Sequence, residues 1–356
     1  MVKNHLIIAV TLLFTVVLSN PSQAQHQQVQ TYYSESGNQM FSLHLQFISE
    51  RIFGNLHCKS LSDFSATTYR IEGKLLADGQ IVLLEQLSKN EIFRGQLTNK
   101  GFAGQLKIDS ENIQQVEFIQ SSDSEMIPMR IFSIAEQQML RAADPASPSA
   151  LVELQVLFPA NPDEALQTSL NDFFRFGKSR EAVEVLLRQQ TNQFFSQYRE
   201  LANIPSASGP SFQWIKQLET TQMYNRSGIL CLKKTTYVFT GGAHGMEHHE
   251  FGIFDVNGNK LEFNDVFTEN AKDVLPEMIT EKIKSDKGLH QNDVLSEHGY
   301  FINLIEPNSN IFICDAGIGF YYNSYEIAPY SSGHTMVLLH FEAIKHLLKL
   351  TATINY

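Results

Sequence analysis

Cysteine is scarce in this chain of 356 residues: there are three, Cys58, Cys231 and Cys314, with no Cys-x-x-Cys spacing. That excludes a disulfide scaffold. In an oxidising compartment one pair can still close. Cys231–Cys314 is the preferred pair, because both lie in strand-like stretches of one domain; the alternative is three buried thiols. Clustered basic residues are also missing. Lys and Arg total 27 against 38 Asp and Glu, for a formal net charge of −11. Nucleic-acid binding needs clustered cations to neutralise phosphates, so no nucleic-acid partner is expected. Beyond the N-terminus no apolar stretch approaches the roughly 20 residues that span a bilayer. Signatures of catalysis are lacking too. There is no His-Glu-x-x-His, no Gly-x-Ser-x-Gly elbow and no glycine-rich loop ending in Lys-Ser or Lys-Thr. Paired carboxylates cannot be singled out by sequence, since 38 acidic residues guarantee chance pairs.

What is present begins with a leader. Lys3 supplies a positive charge, Leu6 to Leu18 an apolar run, and Ser22-Gln23-Ala24 a small-residue cleavage site. The pattern predicts a secretory signal peptide over residues 1–24, cut after Ala24, and a periplasmic or extracellular mature protein. Removing Lys3 takes the charge from −11 to −12 and leaves 356 − 24 = 332 residues. That length accommodates two or three domains. The acidity favours encounter with a cationic partner.

The expected fold class is α+β: an antiparallel β-meander, barrel-like, followed by a mixed α/β region. Residues 25–39 are Gln-rich and are expected to be flexible. A β-rich module over 40–142 follows, in which Phe41, Leu43, Leu45 and Phe47 alternate as on a half-buried strand. It carries a loose repeat, IFGNL at 52–56, IEGKL at 71–75, FRGQL at 93–97 and FAGQL at 102–106. Glycine inside a strand marks a bend or a close backbone approach. ADPASPS at 143–149 reads as a linker, with two prolines and nothing apolar larger than alanine.

From 150 to 356 the pattern mixes strands and helices, with a first part over about 150–225 and a second over about 226–356. Val152, Leu154, Val156 and Phe158 alternate on a strand. Helices are predicted over 163–176, from an N-cap at Ser179 onward with the stripe Val183, Leu187, Phe194, Tyr198 and Leu201, and over 271–284 with Asn270 as cap. Strands are predicted over 212–224, 229–240, 247–256, 301–304, 311–314, 319–322 and 335–340, with a last helix over 341–348. Asn257-Gly258 between apolar runs predicts a hairpin.

The densest chemistry is TGGAHGMEHHE, residues 240–250. His244 and His248 are four apart, yet Gly241, Gly242 and Gly245 oppose the helix that would turn them to one metal. On a following strand His248 and Glu250 share a face, while His249 points the other way with Phe251. The glycines fit a turn between two strands better, supplying backbone conformations that other residues avoid. His244 then hydrogen-bonds across that turn. No metal ligand set and no cofactor are expected.

Three motifs occur in order: YVFTGGAHG at 237–245, an Asp255–Gly258 hairpin, and Tyr325-x-Ile-x-Pro-Tyr330-x-x-Gly333. Together they resemble the domain of unknown function at the C-terminus of RsiV-type anti-sigma-V factors, which are lysozyme-sensing receptors. The helical part before it resembles the companion domain that precedes this one in PdaC-like deacetylases. The hairpin spacing here is one residue shorter. The resemblance implies an extracytoplasmic α/β domain without catalysis of its own, able to bind a lysozyme or another cationic protein. It does not imply signalling, which needs a membrane span and a cytosolic segment. In GFYYNSYEIAPY, Tyr321, Tyr322, Tyr325 and Tyr330 are candidate contacts, with half or more of them expected to pack internally. His244, His248 and Glu250 complete the candidate binding residues.

The expected function is that of a non-enzymatic binding protein for a cationic protein or an envelope polymer. Two other readings stand beside it. One is a metal-dependent hydrolase of envelope polymers using His244, His248 and Glu250; the other is a structural envelope component.

Overall fold

The computed structural model describes residues 27–350 except 49, 64, 109–112, 143, 145, 178–180 and 205–207. The leader expected over 1–24 and the cap expected at Ser179 lie outside the described residues. Eight strands form a closed antiparallel barrel. They are β1 (Gln27–Ser36), β2 (Gln39–Ile48), β3 (Arg51–Ser60), β4 (Ala66–Leu75), β5 (Gln80–Glu85), β6 (Glu91–Leu97), β7 (Gly101–Lys107) and β8 (Ile113–Gln120). Closure is made by β8 on β1, through Tyr32↔Gln120 and Tyr33↔Ile119. Phe41, Leu43, Leu45, Ile52, Leu56, Phe93, Phe102 and Phe118 fill the interior. The period-2 alternation read from β2 is therefore the inward face of a barrel strand.

The repeated glycines let this small barrel curl. Gly95 and Gly104 lie opposite each other on β6 and β7. A Cβ on Gly104 would collide with the Arg94 carbonyl oxygen and the Gly95 Cα, and one on Gly54 with the His44 carbonyl oxygen. At these points neighbouring backbones approach too closely for any side chain.

A six-stranded sheet follows, in the order β14-β13-β12-β11-β10-β9. Its strands are β9 (Met129–Met139), β10 (Ser149–Pro159), β11 (Trp214–Arg226), β12 (Ile229–Phe239), β13 (Met246–Asp255) and β14 (Lys260–Leu261). β10 and β11 pair in parallel, which requires a crossover. α1 (Glu164–Phe173) and α2 (Val183–Arg199) make it. They bury Leu170, Phe173, Leu187, Phe194 and Tyr198 on the sheet face that carries Val152, Leu154 and Leu232. Asp163 caps α1, accepting from the Leu166 amide at 2.8 Å.

The opposite face is covered by α3 (Phe263–Val266), α4 (Ala271–Asp286), α5 (Phe341–Ile344) and a three-stranded sheet. Its order is β15 (Ile311–Cys314), β16 (Gly317–Tyr322), β17 (Thr335–His340). Among the described residues no helix is long and apolar enough to cross a membrane.

Several expectations are corrected. From Gln27 on, the segment expected to be flexible is β1, ten residues paired with β2. Its Gln-rich composition hides buried Thr31, Tyr32 and Ser34. β9 leaves the expected β-rich module: it pairs with β10 from Met139↔Ser149, so the expected linker connects two strands of one hairpin. α2 begins at Val183, after Ala182, which makes no side-chain cap. Asn270 precedes α4 but likewise makes no side-chain cap bond. Residues 301–304 are not a strand; Phe301, Ile302 and Leu304 are exposed, and only Ile305 turns inward. Cys231 and Cys314 are not bonded, and all three cysteines are buried free thiols. Cys231 Sγ instead accepts from the Ile313 amide across the two facing sheets, at 3.5 Å.

The outward face of β2 and β3 is buried as well, and it is polar. Ser42, His44, Gln46, Asn55 and His57 lie against β11 and the β15–β16 turn. Asp315, in that turn, accepts from Ser42 Oγ at 2.9 Å and lies 2.6 Å from His44 Nε2. Gln46 donates to the Thr220 carbonyl and Asn55 to the Gln222 carbonyl, both at 3.0 Å. Arg70 of β4 pairs with Glu219 of β11 at 2.5 Å. Burial would raise the Asp315 carboxyl, but hydrogen bonds from His44 and Ser42 and the nearby imidazoles hold it well below the usual range. Burial, with His44 alongside, pushes His57 from 6.5 down to about 3.

Two predictions follow from this packing. Gly104→Ala should cost about 1–3 kcal/mol through overpacking. The exposed Gln105→Ala in the same strand should change stability by under about 0.5 kcal/mol in denaturant unfolding. The second concerns pH. His57 protonates in the unfolded chain below pH 6.5 but in the folded chain only near 3. Its contribution is complete above 6.5 and is lost as pH falls toward 3. Asp315 acts in the same direction at lower pH. Between pH 7 and 5, His57→Gln should lose about 2 kcal/mol less stability than the parent.

Candidate functional site

The turn between β12 and β13 carries the first motif. Gly241 and Gly242 have φ of 102° and 100°, in the region that favours glycine. Gly245 lies under the Tyr237 ring, where a Cβ would clash. The segment is a glycine turn, and the imidazole in it is held by its neighbours. His244 Nδ1 donates to the Gly245 carbonyl at 2.9 Å, and its ring stacks on Tyr330 at 4.4 Å between centroids. Tyr330 in turn lies 5.6 Å from Tyr325. First and last motifs, far apart in sequence, thus form one shelf of rings.

The shelf is open to solvent: Tyr325 is 53% exposed and Tyr330 38%. Tyr325 has φ of 73°, a left-handed conformation that costs a residue with a Cβ about 1–2 kcal/mol. Its amide donates to Ala328 O at 3.1 Å, and the Phe301 amide donates to Ile327 O at 2.9 Å. The exposed Phe301–Leu304 loop therefore runs beside the shelf, with Glu326 next to it, its carboxylate accepting from the Asn308 and Asn323 amides at 3.1 Å and 3.2 Å. Tyr321 and Tyr322 are not available; both are buried in β16.

His248 and Glu250 do not join this shelf. They share one face of β13, as alternation requires, and His248 is exposed. Glu250 is engaged by buried Lys234 at 2.7 Å and by Arg175 at 3.7 Å. The opposite face of β13 holds Glu247 and His249. His249 Nε2 lies 2.7 Å from Glu247 Oε1, and His334 Nε2 lies 3.9 Å from the same oxygen. His249 Nδ1 lies 3.0 Å from Thr235 Oγ1, its cross-strand partner. Tyr321 packs against both imidazoles, at 5.0 Å and 5.7 Å, and Lys233 lies 5.4 Å from the Tyr321 ring.

Electrostatically this second cluster is a neutral imidazole beside an ionised carboxylate. Burial first and then the Lys233 charge lower His249, while its hydrogen bond lowers Glu247. Burial also brings the Lys233 ammonium down to about 7, with Arg70 adding to the effect.

The sequence places His249 with Phe251 on the face opposite His248 and Glu250, and the set it singles out is His244, His248 and Glu250, without His249. His334, which completes the cluster, directly follows the closing motif at Gly333. The spacing within TGGAHGMEHHE held no sign of it.

Comparison with known proteins agrees with this architecture. Residues 264–342 match the family described as protein of unknown function DUF3298, and residues 147–247 match the family of deacetylase PdaC. A DUF3298 domain and a PdaC-type domain are therefore present in the chain. The structure is similar to the crystal structure of a DUF3298 family member from Bacteroides fragilis NCTC 9343. The TM-score is 0.56 and identity 25%, over 63% of this chain and 95% of that one. A DUF3298 family protein from Pseudomonas aeruginosa PAO1 gives a TM-score of 0.45 and 15% identity, over 64% of this chain and 98% of that one. No curated protein matches the chain significantly.

The strain at Tyr325 generates a test. Tyr325→Gly relieves the left-handed backbone and should raise unfolding stability by about 1 kcal/mol. Tyr330→Gly at a position without that strain should not.

Proposed function

We propose that this chain is a secreted or periplasmic binding protein without catalysis of its own, and that its ligand is a cationic protein of the lysozyme type. The observation that carries the reading is the exposed shelf of Tyr325, Tyr330 and His244. A strained aromatic that leaves half its surface to solvent beside Tyr330 is an unusual arrangement, and such strain concentrates where a ligand is held. Tyrosines anchor interfaces because they bury much area and lose few rotamers. The neighbouring loop adds Phe301, Ile302 and Leu304, more than half or nearly half exposed.

Charge favours the same class of partner. The net charge of −11 draws in a cationic protein from a distance. Glu326, exposed next to Tyr325 in sequence and held by the Asn308 and Asn323 amides, adds a negative charge beside the shelf. The similarity to RsiV-type receptors in the ordered motifs supplies the precedent of lysozyme as ligand. An envelope polymer is the other ligand class compatible with an aromatic shelf.

The test is calorimetric titration of the mature chain with a lysozyme. Binding is expected at low ionic strength, weakening as salt screens the charges. Tyr325→Gly and Tyr330→Ala should each weaken it at least about tenfold, as interface anchors do. Absence of heat at low salt would remove lysozyme as ligand; undiminished binding by both variants would remove the shelf.

A further inference from the structure

From the second cluster we infer that Glu247, His249 and His334 form a binding site for a divalent transition metal of the zinc class. This does not rest on the ligand proposed above. Each of the three residues offers one ligand atom, and these atoms lie within 4.8 Å of one another. A tetrahedral zinc with bonds of about 2.0–2.1 Å needs donors about 3.3–3.4 Å apart. The two separations from Glu247 Oε1, 2.7 Å and 3.9 Å, bracket that value. Two imidazoles and a carboxylate suit zinc, and are poor ligands for calcium or magnesium, which prefer oxygen alone.

The surroundings resemble those of a built site. His249 is almost fully buried on β13, its backbone amide and carbonyl held by the Asn323 side chain, and its Nδ1 is held by the Thr235 hydroxyl. That hydroxyl donates or accepts, so it supports either tautomer and can orient the ring while Nε2 binds an ion. His334 faces His249 with the two ring centroids 4.5 Å apart. Glu247 is 42% exposed, which leaves an open side for a water or a ligand atom as a further donor. The site would tie β13 to the residue that follows the Tyr325–Gly333 segment, and so fix the base of the ring shelf.

One feature opposes a cation. Arg70 is paired with Glu219, while Lys233 lies against the Tyr321 ring that packs on both imidazoles, with Glu219 and Glu247 the carboxylates acting on it. The Lys233 charge should weaken binding, and that gives the site a signature.

The experiment uses the full mature chain without a histidine tag, stripped with chelator and titrated with zinc chloride by calorimetry. One zinc per chain is expected. His334→Ala and Glu247→Gln, both at partly exposed positions, should each lower affinity by more than the 10–100-fold that loss of an outer partner costs. Lys233→Met should tighten binding severalfold, and His248→Ala should leave it unchanged. Circular dichroism checks that each variant folds. Substoichiometric zinc in the parent overturns the inference. So does equal affinity in His334→Ala and the parent, or loss of zinc on His248→Ala instead. Loss of zinc binding with lysozyme titration unchanged, or the reverse, separates this site from the proposed ligand.

Discussion

A carboxylate largely withdrawn from bulk water governs how this molecule is put together. Asp315 sits between two strands of the small C-terminal sheet, yet its hydrogen-bond partners, Ser42 and His44, belong to the N-terminal barrel. A buried charge is tolerable only when satisfied from several sides. Asp315 therefore demands one arrangement of barrel and C-terminal sheet, and alternatives that slide the two apart by a residue leave it unpaired. Around it Gln46, Asn55, Thr31 and Gln222 repeat the same logic with neutral groups. Polar seams of this kind add little net stability compared with an apolar one, but they discriminate between dockings.

Much of the fold was visible in the sequence because it follows from local pattern. Alternation in residues 41–47, the four glycine repeats and the Asn257-Gly258 turn each report a periodicity or a backbone requirement that neighbours cannot override. The parallel pairing of β10 with β11 was not visible, nor the loss of β9 to the central sheet. Both depend on which edges meet after hundreds of atoms have packed. β1 was missed for a related reason: its Thr31 is buried against a polar partner across the seam, Gln222, so a buried strand reads as a hydrophilic tail. Residues 301–304 erred in the other direction. They are apolar, and apolar residues were assigned to the interior, where only Ile305 goes.

The candidate site divides along the same line. The turn geometry of Gly241 and Gly242 was legible, since glycine has a conformational meaning wherever it stands. Which histidines meet was not. Residues within TGGAHGMEHHE are adjacent in sequence, but β13 sends them to opposite faces, His249 inward and His248 outward. The imidazole that approaches His249 arrives from the start of β17. Likewise the four tyrosines of GFYYNSYEIAPY separate by two, β16 burying one pair and the following turn exposing the other.

The hydrophilic outer surface of β2 and β3 also matters before the chain is finished. Residues 27–120 precede Asp315 in synthesis and in export alike, and a barrel whose future contact surface were greasy would offer a sticky flank throughout that interval. Ser42, His44, Gln46, Asn55 and His57 can instead be hydrated while they wait. The half-made molecule stays dispersed, and the last third of the polypeptide replaces that water when it arrives.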